Sequence, residues 1–151
     1  MQVYTNHPDT RSLSDLMAIY ESNYIRLANL INEDMPLLVD LVFRVEGLLD
    51  LHVEIIERTR FTTIVHMTYI MREGAVLHVL PDIKIRIYHD ARLAEVLSCG
   101  RRRGNVCIRY DRTREQYDLS RIWEMNRFLQ KWLGYCFRQG YQKAMYSIEK
   151  G

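Results

Sequence analysis

The feature that most constrains the fold is an alternating apolar stretch near the middle of the chain. Ile83, Ile85 and Ile87 alternate with polar residues, which is the pattern of a strand that buries one face. Further along, Ala94 and Val96 are the apolar residues, so the apolar positions change from odd to even. Because a slip of one residue turns buried side chains outward, the pattern predicts a bulge or bend between the two halves.

We place this break at His89-Asp90-Ala91 and predict one long central strand that continues through it. Bulges often re-aim side chains next to functional sites. His89, Asp90 and Glu57 are therefore candidate catalytic residues, with His89 as acid or base and Asp90 orienting it. Four further residues are candidates for binding a ligand, especially an anion: Arg60, Tyr88, Glu95 and Arg109. The alternative is that this cluster is a buried polar network that satisfies a kinked strand.

Length and composition indicate an ordinary globular chain. Of its 151 residues 48% are apolar and 26% charged, and we expect a single domain over residues 1–151. The chain has no run of about 18 uncharged apolar residues, so no spanning helix is predicted. Residues 1–8 have neither the basic start nor the apolar core of a secretory signal. Three cysteines without Cys-x-x-Cys spacing favour reduced thiols in the cytoplasm.

The net charge of +2 hides an asymmetry along the chain. Residues 1–82 contain six Arg and twelve Asp or Glu, whereas residues 83–151 contain fifteen Lys or Arg and seven Asp or Glu. Either the two parts neutralise each other in one sheet, or a basic face attracts a polyanion or an acidic partner.

An arginine-rich segment belongs to the basic part. Arg101-Arg102-Arg103 is followed by Arg109 and Tyr110, a mixture of charge and aromatic residues that single-stranded nucleic-acid binders also use. Three adjacent arginines at a hairpin tip are more often a solubilising turn that protects the sheet edge. Nucleic-acid binding is therefore a hypothesis with a plain structural alternative.

Two amphipathic stretches predict helices near the ends of the chain. Residues 12–32 place apolar side chains at three- and four-residue steps, with Ser12 opening a capping box. A second long helix begins with Ser120 as its cap and stops near Gly140. Gly134 is unfavourable inside a helix, so we expect the helix to approach the sheet closely there.

The residues between these helices predict antiparallel strands. They comprise three alternating segments within 39–71, a short segment 75–80 stopped by Pro81, the central strand, a hairpin tip at 100–105 and a last strand at 106–110. Residues 141–151 stay unassigned. The order predicts an α+β domain, with an antiparallel sheet of five or six strands covered by an N-terminal and a C-terminal helix.

A three-residue turn at Arg58-Thr59-Arg60 would fix the register of the first three strands. His52 would then face His66 on the polar side of the sheet. Two facing imidazoles with a carboxylate such as Glu54 have the chemistry of a metal site. Histidines on a solvated face also meet by register alone, and the sequence has no compact ligand spacing. We therefore expect no metal and no cofactor.

Five stretches of the sequence together resemble one protein family. They are Glu57-x-Thr59-Arg60-Phe61-Thr62-Thr63, Leu80-Pro81, Tyr88-His89-Asp90-Ala91-x-x-Ala94-Glu95-Val96, Arg109-Tyr110-Asp111 and Asn126-x-Phe128-Leu129-x-x-Trp132-Leu133-x-Tyr135-Cys136. They resemble the YqiB-like proteins, small cytoplasmic proteobacterial proteins classed as a domain of unknown function. The chain departs from that pattern at Phe61, where the family has Tyr, and in the basic hairpin tip. The resemblance implies a cytoplasmic protein and no particular activity.

The sequence favours binding over catalysis. It contains no nucleophile elbow, P-loop, Gly-rich dinucleotide turn, His-Glu-x-x-His or His-x-Glu…Cys-x-x-Cys motif. We therefore expect a non-enzymatic cytoplasmic binding or regulatory protein that engages a protein or a small anionic ligand away from membranes. One alternative is a small enzyme that acts on a phosphorylated or nucleotide-like substrate through His89 and Asp90. The other is nucleic-acid binding through the Arg-rich second half.

Overall fold

The computed structural model describes residues 12–73, 76–103, 106–111 and 118–149, with side chains described outside residues 70–80 and 101–109. The helices are α1 (Leu13–Ala28) and α2 (Leu119–Gln139), and a short 3-10 helix (Tyr141–Lys143) follows α2. The strands are β1 (Asp40–Phe43), β2 (Asp50–Arg58), β3 (Thr62–Glu73), β4 (Val76–Tyr88), β5 (Leu93–Arg103), β6 (Val106–Asp111) and β7 (Tyr146–Glu149). Neither α1 nor α2 is long and apolar enough to cross a membrane.

The seven strands form one antiparallel sheet in the order β6-β5-β4-β3-β2-β1-β7. Both helices lie on one face, where Leu27 and Leu129 join strand residues such as Val65 in a single buried apolar cluster. We call this the helix-covered face. The opposite, outer face carries polar residues, which include Asp40, His52, Glu54, His66, Lys84 and Glu95.

The structure confirms the α+β class and the antiparallel sheet, but it has seven strands where five or six were predicted. One additional strand comes from the tail after α2, which the sequence left unassigned. β7 pairs with β1, so that Leu41 lies opposite Ile148. A four-residue edge strand is too short for its own alternation to be recognised in the sequence, and its place depends on the edge that β1 offers.

The prediction of one long central strand is wrong, because the chain reverses direction at the expected break. β4 ends at Tyr88, β5 begins at Leu93, and four turn residues join them. Across this hairpin Ile87 pairs with Ala94. A turn with an even number of residues places odd positions of one strand opposite even positions of the next, and directly paired residues share a face. The change of apolar parity therefore marks a hairpin.

Pro81 does not end a strand, contrary to the prediction. β4 continues through it from Val76 to Tyr88. The β3–β4 ladder shifts beside it, since Thr68 pairs with Asp82 whereas Ile70 pairs with Val79. Proline has no N–H to donate, and an irregularity in the ladder is one of the few places where a strand tolerates it.

The β2–β3 register differs from the predicted one by two residues. His52 pairs with Thr68, and Glu54 pairs with His66, so the two imidazoles do not lie directly opposite each other. Four residues lie between the last β2–β3 pair, Arg58 and Thr63, and β2 has a bulge between Ile55 and Glu57. A shift of two keeps every side chain on its predicted face, which is why the polar and apolar sides were predicted correctly.

The helix caps agree with the sequence in part. Ser12 and Asp15 form the predicted capping box. α1 ends at Ala28, earlier than residue 32, and Asn29 caps it with its side chain donating to the carbonyl oxygen of Ile25.

The N-cap of the second helix lies two residues before the predicted cap, Ser120. Asp118 is the N-cap residue, and its carboxylate accepts a hydrogen bond from the backbone N–H of Arg121. The helix ends at the predicted Gly140, whose φ of 88° is the left-handed conformation that glycine adopts readily.

Two further predicted features lie at places other than those expected. Gly134 does mark a close approach, but to α1: a Cβ atom there would lie 2.9 Å from Nη1 of Arg26. Arg101-Arg102-Arg103 belongs to the end of β5, where it pairs with residues 106–108 of β6. Residues 104 and 105, which the sequence predicted as part of a hairpin tip, lie outside the described residues.

Candidate functional site

A cleft of about 440 Å³ opens at the end of the sheet where the β2–β3 and β4–β5 turns lie side by side. The end of α1 and the loop after it form the opposite wall. The residues that line the cleft are Tyr24, Leu27, Ala28, Ile31, Asn32, Glu33, Arg58, Thr59, Arg60, Thr63, Ile87 and His89. The volume falls within the range of small-molecule sites, roughly 300–1,000 Å³.

The β2–β3 turn holds Arg60 at the mouth of the cleft. The turn is closed by a hydrogen bond from the backbone N–H of Thr59 to the carbonyl oxygen of Thr62, at 2.8 Å. The two threonine hydroxyls are also hydrogen-bonded, at 2.8 Å. The Arg60 guanidinium lies 5.2 Å from the ring centre of Phe61. Its backbone is therefore fixed while its charged end is exposed.

His89 lines the cleft from the first position of the β4–β5 turn. Its backbone N–H donates to the carbonyl oxygen of Phe61 at 2.8 Å, which joins the two turns. Its ring Nε2 lies 2.7 Å from the hydroxyl oxygen of Thr63, a buried residue of β3. Because Nε2 is engaged with Thr63, the other ring nitrogen is left to meet a ligand or solvent.

Arg58 fastens the loop after α1 to the sheet. Its guanidinium donates to the carbonyl oxygens of Met35, at 3.1 Å, and Asn32, at 3.3 Å. The bulge in β2 explains how Arg58 reaches this side, since Arg58 pairs with Thr63 on the helix-covered face and Glu57 pairs with Ile64 on the outer face. An unbroken alternation from Ile55 would have exchanged these two side chains.

The far wall of the cleft is apolar. Tyr24, Leu27, Ala28 and Ile31 occupy positions three, four and seven residues apart, so they share one side of the helical end. Ile87 of β4 adds to this wall. The cleft thus has a polar side built from two turns and an apolar side built from α1.

The charged groups of the cleft carry opposite signs. Arg58 and Arg60 are cationic and Glu33 is anionic. Within the part of the chain that the structure describes, none of the three forms an ion pair. Arg58 is hydrogen-bonded to neutral carbonyl oxygens, so its positive charge is not cancelled. The cleft therefore offers uncompensated charge to a ligand.

The structure does not bring all the candidate site residues together. His89 and Arg60 line the cleft, whereas Glu57, Tyr88 and Glu95 do not. Tyr88 donates a hydrogen bond to Glu95 at 2.7 Å on the outer face. Burial and this hydrogen bond raise the pKa of Tyr88 above its ordinary value.

The remaining candidates lie elsewhere. Asp90 is exposed in the β4–β5 turn, where its carboxylate accepts a hydrogen bond from the backbone N–H of Ala91 at 2.9 Å. His89 is thus hydrogen-bonded to Thr63, not to Asp90. The side chain of Arg109 is outside the described residues.

The strand histidines pair with aspartates on the outer face. Nδ1 of His52 lies 2.8 Å from a carboxylate oxygen of Asp40, and His66 contacts Asp82 through Nε2. Among the side chains that the structure describes, no three His, Cys, Asp or Glu residues are arranged to hold a metal ion. His78 lies outside the described side chains.

The sequence reasoning missed three features of the cleft. They are Glu33, the apolar residues at the end of α1 as a wall of the cleft, and Arg58, which the sequence predicted only as part of a turn. The types of these residues did not indicate that they would line a cleft. Their positions depend on the bulge in β2 and on where the loop after α1 packs against the sheet. Thr59 and Thr63 could have been recognised, since both lie in a stretch that carries the family resemblance.

A family model described as "Protein of unknown function (DUF1249)" matches residues 26–142. The chain belongs to the DUF1249 family. Two relatives are the uncharacterized protein YqiB of Escherichia coli strains K12 and O157:H7, each 29% identical over 133 residues, 87% of this chain and 92% of theirs. The YqiB-like resemblance is thereby confirmed. No solved structure matches the chain. Of the cleft residues, only Tyr24 falls outside the DUF1249 match.

Proposed function

We propose that this protein is a non-enzymatic cytoplasmic binding protein whose cleft takes a small organic anion with an apolar body. The observation that supports it is the cleft itself, in which Arg60 and His89 share a concave surface with an apolar helix wall. Cys99 and Cys136 are buried thiols, not a disulfide, which agrees with a reducing compartment.

The donors on the polar side suit an anion. A guanidinium presents several N–H groups in a plane and binds carboxylate or phosphate oxygens in pairs. The Arg60 guanidinium and the ring nitrogen of His89 that does not contact Thr63 lie along the two turns. The apolar wall from α1 favours a ligand that buries hydrocarbon when its charged end is bound.

The test uses 8-anilino-1-naphthalenesulfonate, a fluorescent sulfonate with an aromatic body, titrated into the full chain. We expect saturable binding that weakens about tenfold in Arg60→Gln, a loss of about 1.4 kcal/mol. Arg127→Gln, an exposed arginine on α2 away from the cleft, should leave the Kd unchanged. Equal Kd values for the parent and Arg60→Gln would contradict the proposal.

An enzyme acting on a phosphorylated or nucleotide-like substrate is the second candidate, because His89 does line the cleft. Its orienting residue would be Thr63 instead of Asp90. Turnover of a generic phosphoester such as p-nitrophenyl phosphate, abolished in His89→Gln and retained in Asp90→Asn, would favour this candidate. No turnover by the parent protein would count against it.

A further inference from the structure

The cleft has a fixed negative side as well as a positive one. Glu33 lies in the loop between α1 and β1. Arg58 donates to the carbonyl oxygens of Asn32, before Glu33, and Met35, after it. The side chain of Asn32 also accepts a hydrogen bond from the backbone N–H of Asp34 at 2.9 Å. The backbone on both sides of Glu33 is therefore held against the sheet, and Glu33 lines the cleft.

The positive side belongs to a different element. Arg60 is carried by the β2–β3 turn, whose threonine hydrogen bonds fix its backbone. Over the described residues, Glu33 and Arg60 make no ion pair with each other or with another side chain. Two opposite charges that face one cleft from separate elements, without neutralising each other, complement a ligand that carries both charges.

We infer that the ligand of this cleft is a zwitterion with an apolar body, which is the chemistry of an apolar α-amino acid or a short apolar peptide. This inference rests on the proposed function. The carboxylate pairs with Arg60, the ammonium group pairs with Glu33, and the hydrocarbon side chain packs against Leu27 and Ile31. A simple organic anion can still pair with Arg60, but it would leave Glu33 without a partner and should therefore bind less tightly than the zwitterion.

The experiment is isothermal titration of the full chain with leucine and with leucyl-leucine, which distinguishes a free amino acid from a peptide. N-acetyl-leucine lacks the ammonium group and leucinamide lacks the carboxylate. We expect leucine or leucyl-leucine to bind at least tenfold more tightly than either modified compound. Arg60→Gln should abolish the preference for the carboxylate over the amide.

Glu33→Gln provides the decisive variant. It should reduce the preference for the free amine over N-acetyl-leucine to less than twofold, without weakening the binding of N-acetyl-leucine itself. Asp34→Asn is the matched control, because Asp34 is exposed in the same loop and does not line the cleft.

Two outcomes would overturn the inference: N-acetyl-leucine binding as tightly as both leucine and leucyl-leucine, or no titration by either zwitterion. In both cases the sulfonate titration with Arg60→Gln still decides whether the cleft binds anions. Failure of the zwitterion inference is therefore distinguishable from failure of the proposed function.

Discussion

The side-chain oxygen of Asn126 accepts a hydrogen bond from the backbone N–H of Val96, at 2.8 Å. Val96 lies beside the irregularity in the β4–β5 ladder, where the register shifts. Bulges interrupt the ladder and leave backbone donors that need another partner. The completely buried Asn126 supplies that partner from α2, and its amide nitrogen donates to the carbonyl oxygen of Ile122 at 2.8 Å.

We expect Asn126→Ala to lower the free energy of unfolding by about 2–3 kcal/mol, because it strands the buried N–H of Val96 and leaves a small cavity. Urea denaturation measures the change. Gln130→Ala, one turn further along α2 and half-buried, should change stability by no more than about 0.5 kcal/mol. Equal midpoints for the two variants would show that the bond to Val96 contributes nothing.

Arg58 should hold the wall of the cleft in place. In Arg58→Ala the carbonyl oxygens of Asn32 and Met35 lose their charged donor, and we expect a loss of about 1–2 kcal/mol in stability. Amide hydrogen exchange in residues 30–38 should accelerate more than in α2. Arg58→Lys should restore little, because an ammonium group cannot reproduce the two-pronged donor geometry. Unchanged exchange in Arg58→Ala would contradict this role.

Gly134 and Arg26 should be energetically coupled. Nη1 of Arg26 donates to the carbonyl oxygen of Gln130 at 2.9 Å and lies where a Cβ of residue 134 would be. Alanine at 134 gains about 1 kcal/mol of helix propensity but displaces this charge-assisted bond, so Gly134→Ala alone should lower stability by about 0.5–1 kcal/mol.

In an Arg26→Ala background the Arg26 guanidinium no longer occupies the position of the new Cβ atom. Gly134→Ala should then raise the free energy of unfolding by about 1 kcal/mol. A double-mutant cycle by urea denaturation measures the difference. Strict additivity of the two substitutions would refute the coupling.

Stability should fall at alkaline pH through Cys136. Burial raises the pKa of its thiol from 9.0 to about 11. The unfolded chain therefore ionises first, so the contribution is complete below pH 9 and is lost as the pH rises to 11, by about 2–3 kcal/mol. Burial also raises the pKa of Tyr141 to about 12, which adds a loss above pH 10.

Unfolding free energies of the parent and of Cys136→Ala, measured between about pH 8 and about pH 11, check this prediction. Cys136→Ala should be less stable at neutral pH but should show a flatter pH dependence. Leu133→Ala creates a cavity in the same helix without removing a titrating group, and should keep the slope of the parent. If the free energy of unfolding of Cys136→Ala fell with pH as steeply as that of the parent, the alkaline loss of stability would not come from Cys136.

The candidate residues around His89 show which part of the site could be predicted from the sequence. The hypothesis that His89 and Arg60 lie near each other agrees with their placement in one cleft. Glu57 was assigned to the same cluster, but the bulge in β2 directs it to the outer face. A bulge adds one residue without any distinctive residue type, so the alternation of β2 alone did not reveal it.

What the sequence by itself determined was local. The face of each strand, the capping box at Ser12 and the left-handed stop at Gly140 all follow from residues a few positions apart, whose conformational preferences act before any long-range contact forms. The tertiary structure decided what depends on distant partners: the hairpin in place of one long strand, the addition of β7 and the docking of the loop after α1 onto Arg58. These choices depend on turn lengths, ladder irregularities and the packing of segments far apart in the chain, and together they form the cleft.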